Sequence, residues 1–98
     1  MQKTITPINN TLYLERPYPS SLEIDKTIET SSKAFKQWSQ TSVPERIEII
    51  NKFIDNLLSL TDEIKKEICW QIGRPISQCG SELKGFEERS RYMVEVAE

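Results

Sequence analysis

Apolar residues recur along most of the chain at the three- and four-residue spacing of amphipathic helices, whereas the first sixteen residues follow a different pattern. Residues that start or stop helices divide the periodic part into four segments. We therefore predict helices over residues 21–39, 43–59, 61–72 and 77–98.

Each predicted helix carries one apolar stripe that needs a packing partner. The first stripe is interrupted at Ser31 and otherwise consists of Ile24, Ile28, Phe35 and Trp38. The second is the widest and contains Ile47, Ile49, Ile50, Phe53, Ile54 and Leu57. The third stripe consists of Ile64, Ile68 and Ile72. The fourth consists of Cys79, Leu83, Phe86, Met93, Val94 and Ala97.

Small polar residues mark the predicted start of the first helix. Either Ser20 or Ser21 can cap it by accepting a hydrogen bond from a free backbone N–H group. Glu23 and Asp25 are expected in its first turn, where the positive end of the helix dipole favours acidic side chains.

The later helices have similar signals, with one exception. Ser42 and Thr61 are the predicted caps of the second and third helices, and Gly73-Arg74-Pro75 is expected to end the third. The fourth has no stop signal before Glu98, so its pattern is expected to run to the last residue.

Residues 4–16 carry β-branched and aromatic side chains around Asn9-Asn10, which predicts a β-hairpin. Both asparagines tolerate the left-handed backbone of a tight turn. Pro17 and Pro19 cannot donate backbone hydrogen bonds, so they are expected to end the second strand. The predicted fold class is mostly α, with an N-terminal β-hairpin and about four amphipathic helices.

Composition limits what this chain can do alone. With 98 residues, of which 37% are hydrophobic and 29% charged, it can form one domain with a small core. The net charge of −2 is spread along the sequence, which argues against nucleic-acid binding, including a small helix-turn-helix regulator. The chain has neither an apolar run of about 18 residues nor an apolar signal core, so we expect a cytoplasmic protein without membrane contact.

The sequence offers few catalytic groups. It has no histidine, and Cys69 and Cys79 are its only cysteines, which excludes histidine-dependent triads and a four-ligand zinc site. We expect both thiols to be buried and reduced, and both tryptophans, Trp38 and Trp70, to be packing residues. No glycine-rich phosphate-binding motif is present.

Charged residues near the C-terminus indicate a solvated helix face. Acids and bases alternate there, namely Glu82, Lys84, Glu87, Glu88, Arg89 and Arg91. A paired-carboxylate site is therefore the less favoured interpretation. Arg74 in the predicted turn could hold an anion, but a solvated arginine is the expected case. We assign no catalytic, cofactor-binding or metal-binding residue.

Five segments together resemble the beginning of aldehyde dehydrogenases, in order and in spacing. The resemblance covers Thr4 to Glu98, and its most specific part is Trp-Gln-x-Gly-Arg-Pro at residues 70–75. The other segments are residues 6–17, 34–38, 44–46 and 85–93.

This resemblance implies an enzyme that oxidises an aldehyde to a carboxylic acid through a thiohemiacetal on a cysteine, with NAD or NADP as the hydride acceptor. In the family the nucleophilic cysteine, the general base and the cofactor-binding strands all follow the matched region, and neither Cys69 nor Cys79 aligns with that nucleophile. Residues 1–98 would be an incomplete N-terminal part of the nucleotide-binding domain. Alone, the chain is expected to bind no cofactor and to be inactive, with the remainder of the fold or a homo-oligomer as its partner.

The resemblance also raises the question of a cation site. Some relatives hold a monovalent cation with backbone near the positions of Thr4 and Ile5 and with an acid at the position of Gln71. The amide of Gln71 lacks that charge, so we assign no metal site.

A different class of function remains as the alternative. The wide stripes would also suit a free-standing helical interaction module or a homodimer. The uncapped end of the fourth helix favours an incomplete dehydrogenase over this alternative.

Overall fold

The computed structural model describes residues 1–97 and confirms the predicted fold class, since four helices follow an N-terminal hairpin. Glu98, the last residue of the predicted fourth helix, lies outside the described residues. In chain order the elements are β1 (Gln2–Ile5), β2 (Leu12–Arg16), α1 (Ser21–Trp38), α2 (Val43–Leu58), α3 (Thr61–Ile72) and α4 (Ile76–Val96).

The two strands pair antiparallel, with Gln2 opposite Arg16, but the connection differs from the predicted tight turn. It is a loop over residues 6–11 in which Asn10 has a positive φ of 60° while Asn9 does not. The Oδ1 of Asn9 instead accepts a hydrogen bond from the backbone N–H of Thr11 at 3.1 Å. Asn9 thus closes the loop with its side chain, which a two-residue turn does not require.

The serine caps of α1 and α2 are confirmed. Ser20 and Ser42 each accept a hydrogen bond from the backbone of the third helical residue, and the carboxylates of Glu23 and Glu45 accept one back from the cap. These hydrogen bonds from the caps lower the pKa of both glutamates. Asp25, however, lies beyond the first turn of α1, so that detail of the prediction was wrong.

Thr61 does not cap α3, contrary to the prediction. Leu60 occupies the cap position with φ −96° and ψ 16°, which is far from the extended backbone that side-chain capping needs. The hydroxyl of Thr61 donates back to the carbonyl of Leu58 instead. The link of Ser59 and Leu60 keeps backbone angles close to those of a helix, so neither residue has the extended backbone of a side-chain cap.

The end of α3 agrees with the prediction, because Gly73 adopts a left-handed conformation with φ 73°. A β-carbon built on Gly73 would lie 2.7 Å from Cγ of Pro7, so the helix end also contacts the hairpin loop. The chain then turns at Pro75, and α4 begins at Ile76, one residue before the predicted start.

The core is small and lies where α4 contacts α2 and α3. Its buried apolar residues are Ile54 of α2 with Cys79 and Leu83 of α4. At the far end of the same contact, Arg91 donates to Oδ1 of Asp55 at 2.6 Å and to Oδ1 of Asn51 at 3.0 Å. Helix α4 therefore holds the two preceding helices together.

Helix α1 lies apart from this core, and every one of its residues is exposed. It is fixed mainly at its C-terminal corner by Arg46 of α2. The Nε of Arg46 donates to the hydroxyl of Thr41 at 2.9 Å, and its guanidinium lies 5.4 Å from the ring centre of Trp38. The predicted apolar stripe of α1 consequently has no cover in the described part of the chain.

The chain is open for its size. Its surface of 7949 Å² exceeds the value of about 5,770 Å² expected for a compact protein of this mass by about 2,200 Å². Its radius of gyration is 17.7 Å, against about 13 Å for a compact domain of this length. Much apolar surface, including Phe35, Phe53 and Met93, therefore stays exposed.

Replacing Gly73 by alanine should destabilise the chain, because the left-handed backbone and the contact with Pro7 both oppose a β-carbon. We expect a loss of about 2 kcal/mol in the free energy of unfolding, measured by urea titration of the helical circular dichroism signal. Gly85→Ala is the matched control, since Gly85 is helical and has nothing within 4 Å of an added β-carbon. The control should be neutral or stabilising, and equal losses in the two variants would contradict the assigned role of Gly73.

Candidate functional site

A cluster of polar and aromatic side chains lies where the hairpin meets α3. The hydroxyl of Tyr13 on β2 donates to Oε1 of Glu67 at 2.8 Å. The ring of Tyr13 stacks on Trp70, with centroids 5.8 Å apart and planes 8° from parallel. The amide of Gln71 donates to Oε2 of Glu67 at 2.8 Å. We call these four residues the Tyr13 cluster.

Hydrogen bonding shifts two pKa values in the Tyr13 cluster. The hydrogen bond from Gln71, followed by that from Tyr13, lowers the pKa of Glu67, because both stabilise the ionised carboxylate. The bond to Glu67 raises the pKa of Tyr13, since it needs the phenolic proton. The contribution of Glu67 to stability is present above its unfolded pKa of about 4.3 and is lost as pH falls through the lowered value. That of Tyr13 is present below its unfolded pKa of about 10 and is lost as pH rises through the raised value.

Gln71, which occupies the position of the acid in the cation site of some relatives, is a member of the Tyr13 cluster. Gln71 directs its amide hydrogen to Glu67, and the Glu67 carboxylate already accepts two hydrogen bonds. Thr4 is half-buried and Ile5 exposed on β1. Over residues 1–97 no three acidic or cysteine side chains converge as metal ligands. The donors present therefore suit an internal hydrogen-bond network better than a cation.

The two cysteines differ in their surroundings. Cys79 is fully buried, and its thiol lies 3.3 Å from the carbonyl oxygen of Pro75 and 3.5 Å from that of Arg74. Cys69 is only half-buried, so the expectation of two buried thiols was right for Cys79 and wrong for Cys69. Both are free thiols. Neither has a neighbouring base in the described contacts that would make it a nucleophile.

The charged residues of α4 form ion pairs with the turn before it, with α2 and within α4 itself. Glu82 pairs with Arg74, and Arg91 lies 3.7 Å from Glu87 as well as bonding to Asp55. Arg74 also donates to the hydroxyl of Ser81 at 2.9 Å. The prediction that Arg74 is merely solvated was therefore wrong, because its guanidinium ties the turn after α3 to the first part of α4.

The two tryptophans take part in packing, as predicted, although neither is fully buried. Trp70 stacks on Tyr13, and Trp38 lies under the guanidinium of Arg46. Trp38 is 39% exposed to solvent, and it borders a hollow on α1 beside Phe35. The sequence identified the two residues but not their partners.

An apolar groove of about 460 Å³ lies between α2 and α4. Its lining is mainly apolar and also includes Arg46 and Arg89. The lining residues are Val43, Ile47, Ile50, Ser90, Met93, Val94 and Ala97 together with these two arginines. The groove has no group suited to acid–base or nucleophilic chemistry, so it indicates a packing surface.

No helix within residues 1–97 combines the length and the apolar character needed to cross a bilayer. This holds for α4, the longest at 21 residues, because charged side chains occur along it.

Comparison with known proteins identifies the class to which this architecture belongs. The family model described as the aldehyde dehydrogenase family matches residues 1–98. The chain therefore belongs to the aldehyde dehydrogenase family, as its five sequence segments indicated.

Individual relatives are distant and much longer. Malonate-semialdehyde dehydrogenase 2 of Bacillus cereus is 26% identical over 89% of this chain, and malonate-semialdehyde dehydrogenase of Bacillus pumilus is 28% identical over 93%. A succinate-semialdehyde dehydrogenase [NADP(+)] of Deinococcus radiodurans is 28% identical over 82%. The chain spans 17–18% of the length of these relatives. No solved structure matches it.

The Tyr13 cluster makes a testable prediction about Glu67. Gln71→Leu and Tyr13→Phe should each raise the pKa of Glu67, with the larger rise in the glutamine variant, because its bond contributes most. Carboxyl NMR titration would measure both shifts. Tyr13→Phe retains the ring that stacks on Trp70, so it isolates the hydroxyl from the stacking. An unchanged pKa in both variants would show that these hydrogen bonds do not form in solution.

Proposed function

We propose that this chain is the N-terminal segment of the nucleotide-binding domain of an NAD(P)-dependent aldehyde dehydrogenase. The observation that carries this proposal is the family match over the whole chain, combined with the small share of each relative that it covers. The enzyme would oxidise an aldehyde to a carboxylic acid in the cytoplasm. Because three relatives are named for semialdehydes, a short aldehyde bearing a carboxylate is the proposed substrate class.

The segment itself supplies architecture to that reaction. When bound by the complete enzyme, NAD or NADP would accept the hydride, and a cysteine outside this chain would be the nucleophile. Neither Cys79, buried against backbone carbonyls, nor the half-buried Cys69 is suited to that step. We infer that the chain alone binds no cofactor and has no dehydrogenase activity.

The proposed partner is the remainder of the dehydrogenase fold. The surface in excess of a compact protein, about 2,200 Å², is larger than the roughly 800 Å² that one partner contributes to an interface of standard size. The groove between α2 and α4 is lined mainly by apolar side chains and would be part of the surface that the remainder of the fold covers.

A free-standing helical interaction module is the second candidate. The same exposed stripes favour it, since an unpartnered apolar face of this extent also marks protein–protein contacts. The two candidates differ in one respect: only a dehydrogenase segment should work inside a dehydrogenase.

Segment exchange tests this difference. We would delete the matching N-terminal segment from malonate-semialdehyde dehydrogenase 2 of Bacillus cereus and insert residues 1–98 in its place. The deletion variant should be inactive, and the exchanged enzyme should regain NAD(P)H production from malonate semialdehyde, followed at 340 nm. The isolated 98-residue chain should give no signal above the enzyme-free rate.

The matched control for the exchange is the same hybrid carrying Ile54→Asp. A buried, unpaired carboxylate at position 54 should disrupt the α2–α4 contact and abolish recovery. The hybrid that carries the unaltered residues 1–98 is the decisive one. If it is soluble and folded but inactive, the result favours the interaction module.

A further inference from the structure

The Tyr13 cluster joins the hairpin to the second half of α3, because Tyr13 of β2 donates to Glu67 of α3. The monovalent cation of some relatives would join the same two elements. It is held there by backbone near the positions of Thr4 and Ile5, which lie on β1, and by an acid at the position of Gln71, which lies on α3. A hydrogen-bond network and a cation are therefore alternative means of attaching the hairpin.

The donors around Glu67 do not suit a cation. Oε1 of its carboxylate accepts from the hydroxyl of Tyr13, and Oε2 accepts from the amide of Gln71, each at 2.8 Å. Hard cations take oxygen ligands, and a charged carboxylate is the strongest of these. Here both neighbours of the carboxylate direct hydrogen atoms at it. A cation would have to displace two charge-assisted hydrogen bonds to reach these oxygens.

The negative charge of Glu67 is also balanced within the chain. Hydrogen bonds from Gln71 and Tyr13 are the main causes of its lowered pKa. The positive charges of Arg16 on β2 and Lys66 on α3 act in the same direction. All four groups favour the ionised carboxylate, so it needs no metal ion for charge compensation.

We propose that the Tyr13 cluster replaces the monovalent cation as the tie between the hairpin and α3, so that the hairpin docks independently of potassium and sodium ions. The proposal rests on the membership of the chain in the family. It goes beyond the proposed function, because it concerns the attachment of the hairpin and not the reaction.

The amide of Gln71 is the residue on which this replacement depends. A carboxylate at position 71 would lose the hydrogen bond to Glu67 and would face it from four residues further along α3. Like charges at this spacing on a helix repel each other. An acid at position 71 therefore calls for a cation, whereas an amide there completes the network.

The stacking of Tyr13 on Trp70 provides a direct measure of hairpin docking. The two rings are 8° from parallel with centroids 5.8 Å apart, so the indole ring current shifts the NMR signals of the Tyr13 ring protons while the hairpin is docked. These signals report the attachment of the hairpin separately from helix content, which circular dichroism measures.

The full 98-residue chain is compared in potassium, sodium and choline chloride at one ionic strength, so that general screening is constant. In the unaltered chain the Tyr13 ring signals should be the same in all three salts. Gln71→Glu should lower the ratio of docked to undocked hairpin at least about threefold in choline chloride. Potassium or sodium should then raise that ratio at least about twofold, because a small cation can approach the paired carboxylates and choline cannot.

Two variants are matched controls. Gln71→Leu removes the hydrogen bond without adding a charge, so it should lose docking equally in the three salts. Gln78→Glu adds the same charge at an exposed position of α4, and it should behave as the unaltered chain. Helix content should be equal in all variants, since each substitution replaces one helix-compatible residue by another.

Three results would overturn the proposal. The first is a saturable response of the unaltered chain to potassium or sodium that choline does not produce. The second is unchanged docking in Gln71→Glu, and the third is equal docking of that variant in all three salts. Dehydrogenase activity enters none of these measurements, so the proposed function can fail without affecting their outcome.

Discussion

The structure depends on the contact that α4 makes with both α2 and α3. Ile54, Cys79 and Leu83 are the apolar side chains that this contact buries, and Arg91 extends it by bonding to Asp55 and Asn51. The hairpin and α1 are attached to this centre by few groups, chiefly Tyr13 and Arg46. Three buried apolar side chains are a small core for a chain of this length. The chain is therefore ordered by its helix-end residues and by the short contact of α4 with α2 and α3, while many of its large apolar side chains remain exposed.

Local chemistry made most of the fold predictable from sequence. Ser20, Ser42 and Gly73 act at helix ends through short-range hydrogen bonds or backbone preference, so their roles follow from their neighbours. The failures also have local causes. Thr61 has capping chemistry but follows a link without extended backbone, and Asn9 closes its loop with a side chain. A residue pattern does not reveal those backbone angles.

Contacts between distant residues could not be predicted in the same way. Tyr13, Trp70 and Gln71 all lie within the segments that resemble the family, but the sequence did not identify Glu67 as their common partner. Their convergence on Glu67 depends on how the hairpin docks against α3, which one sequence does not encode in any short-range spacing. Arg74 shows the same limit, because its partner Glu82 lies on the next helix. The family, by contrast, was recognisable because its motifs keep their order along the chain.

The position of α4 after the other three helices has a consequence for biosynthesis. During translation α1, α2 and α3 emerge before Cys79 and Leu83, and these two residues complete the only apolar centre in the described chain. The helices can form transiently by then, but only a few contacts, chiefly those of Arg46 with Trp38 and of Tyr13 with Glu67, connect them to their neighbours. A nascent chain that is paused shortly before α4 should therefore expose the apolar stripes of three helices to chaperones and proteases. Addition of α4 would convert that ensemble into an ordered unit.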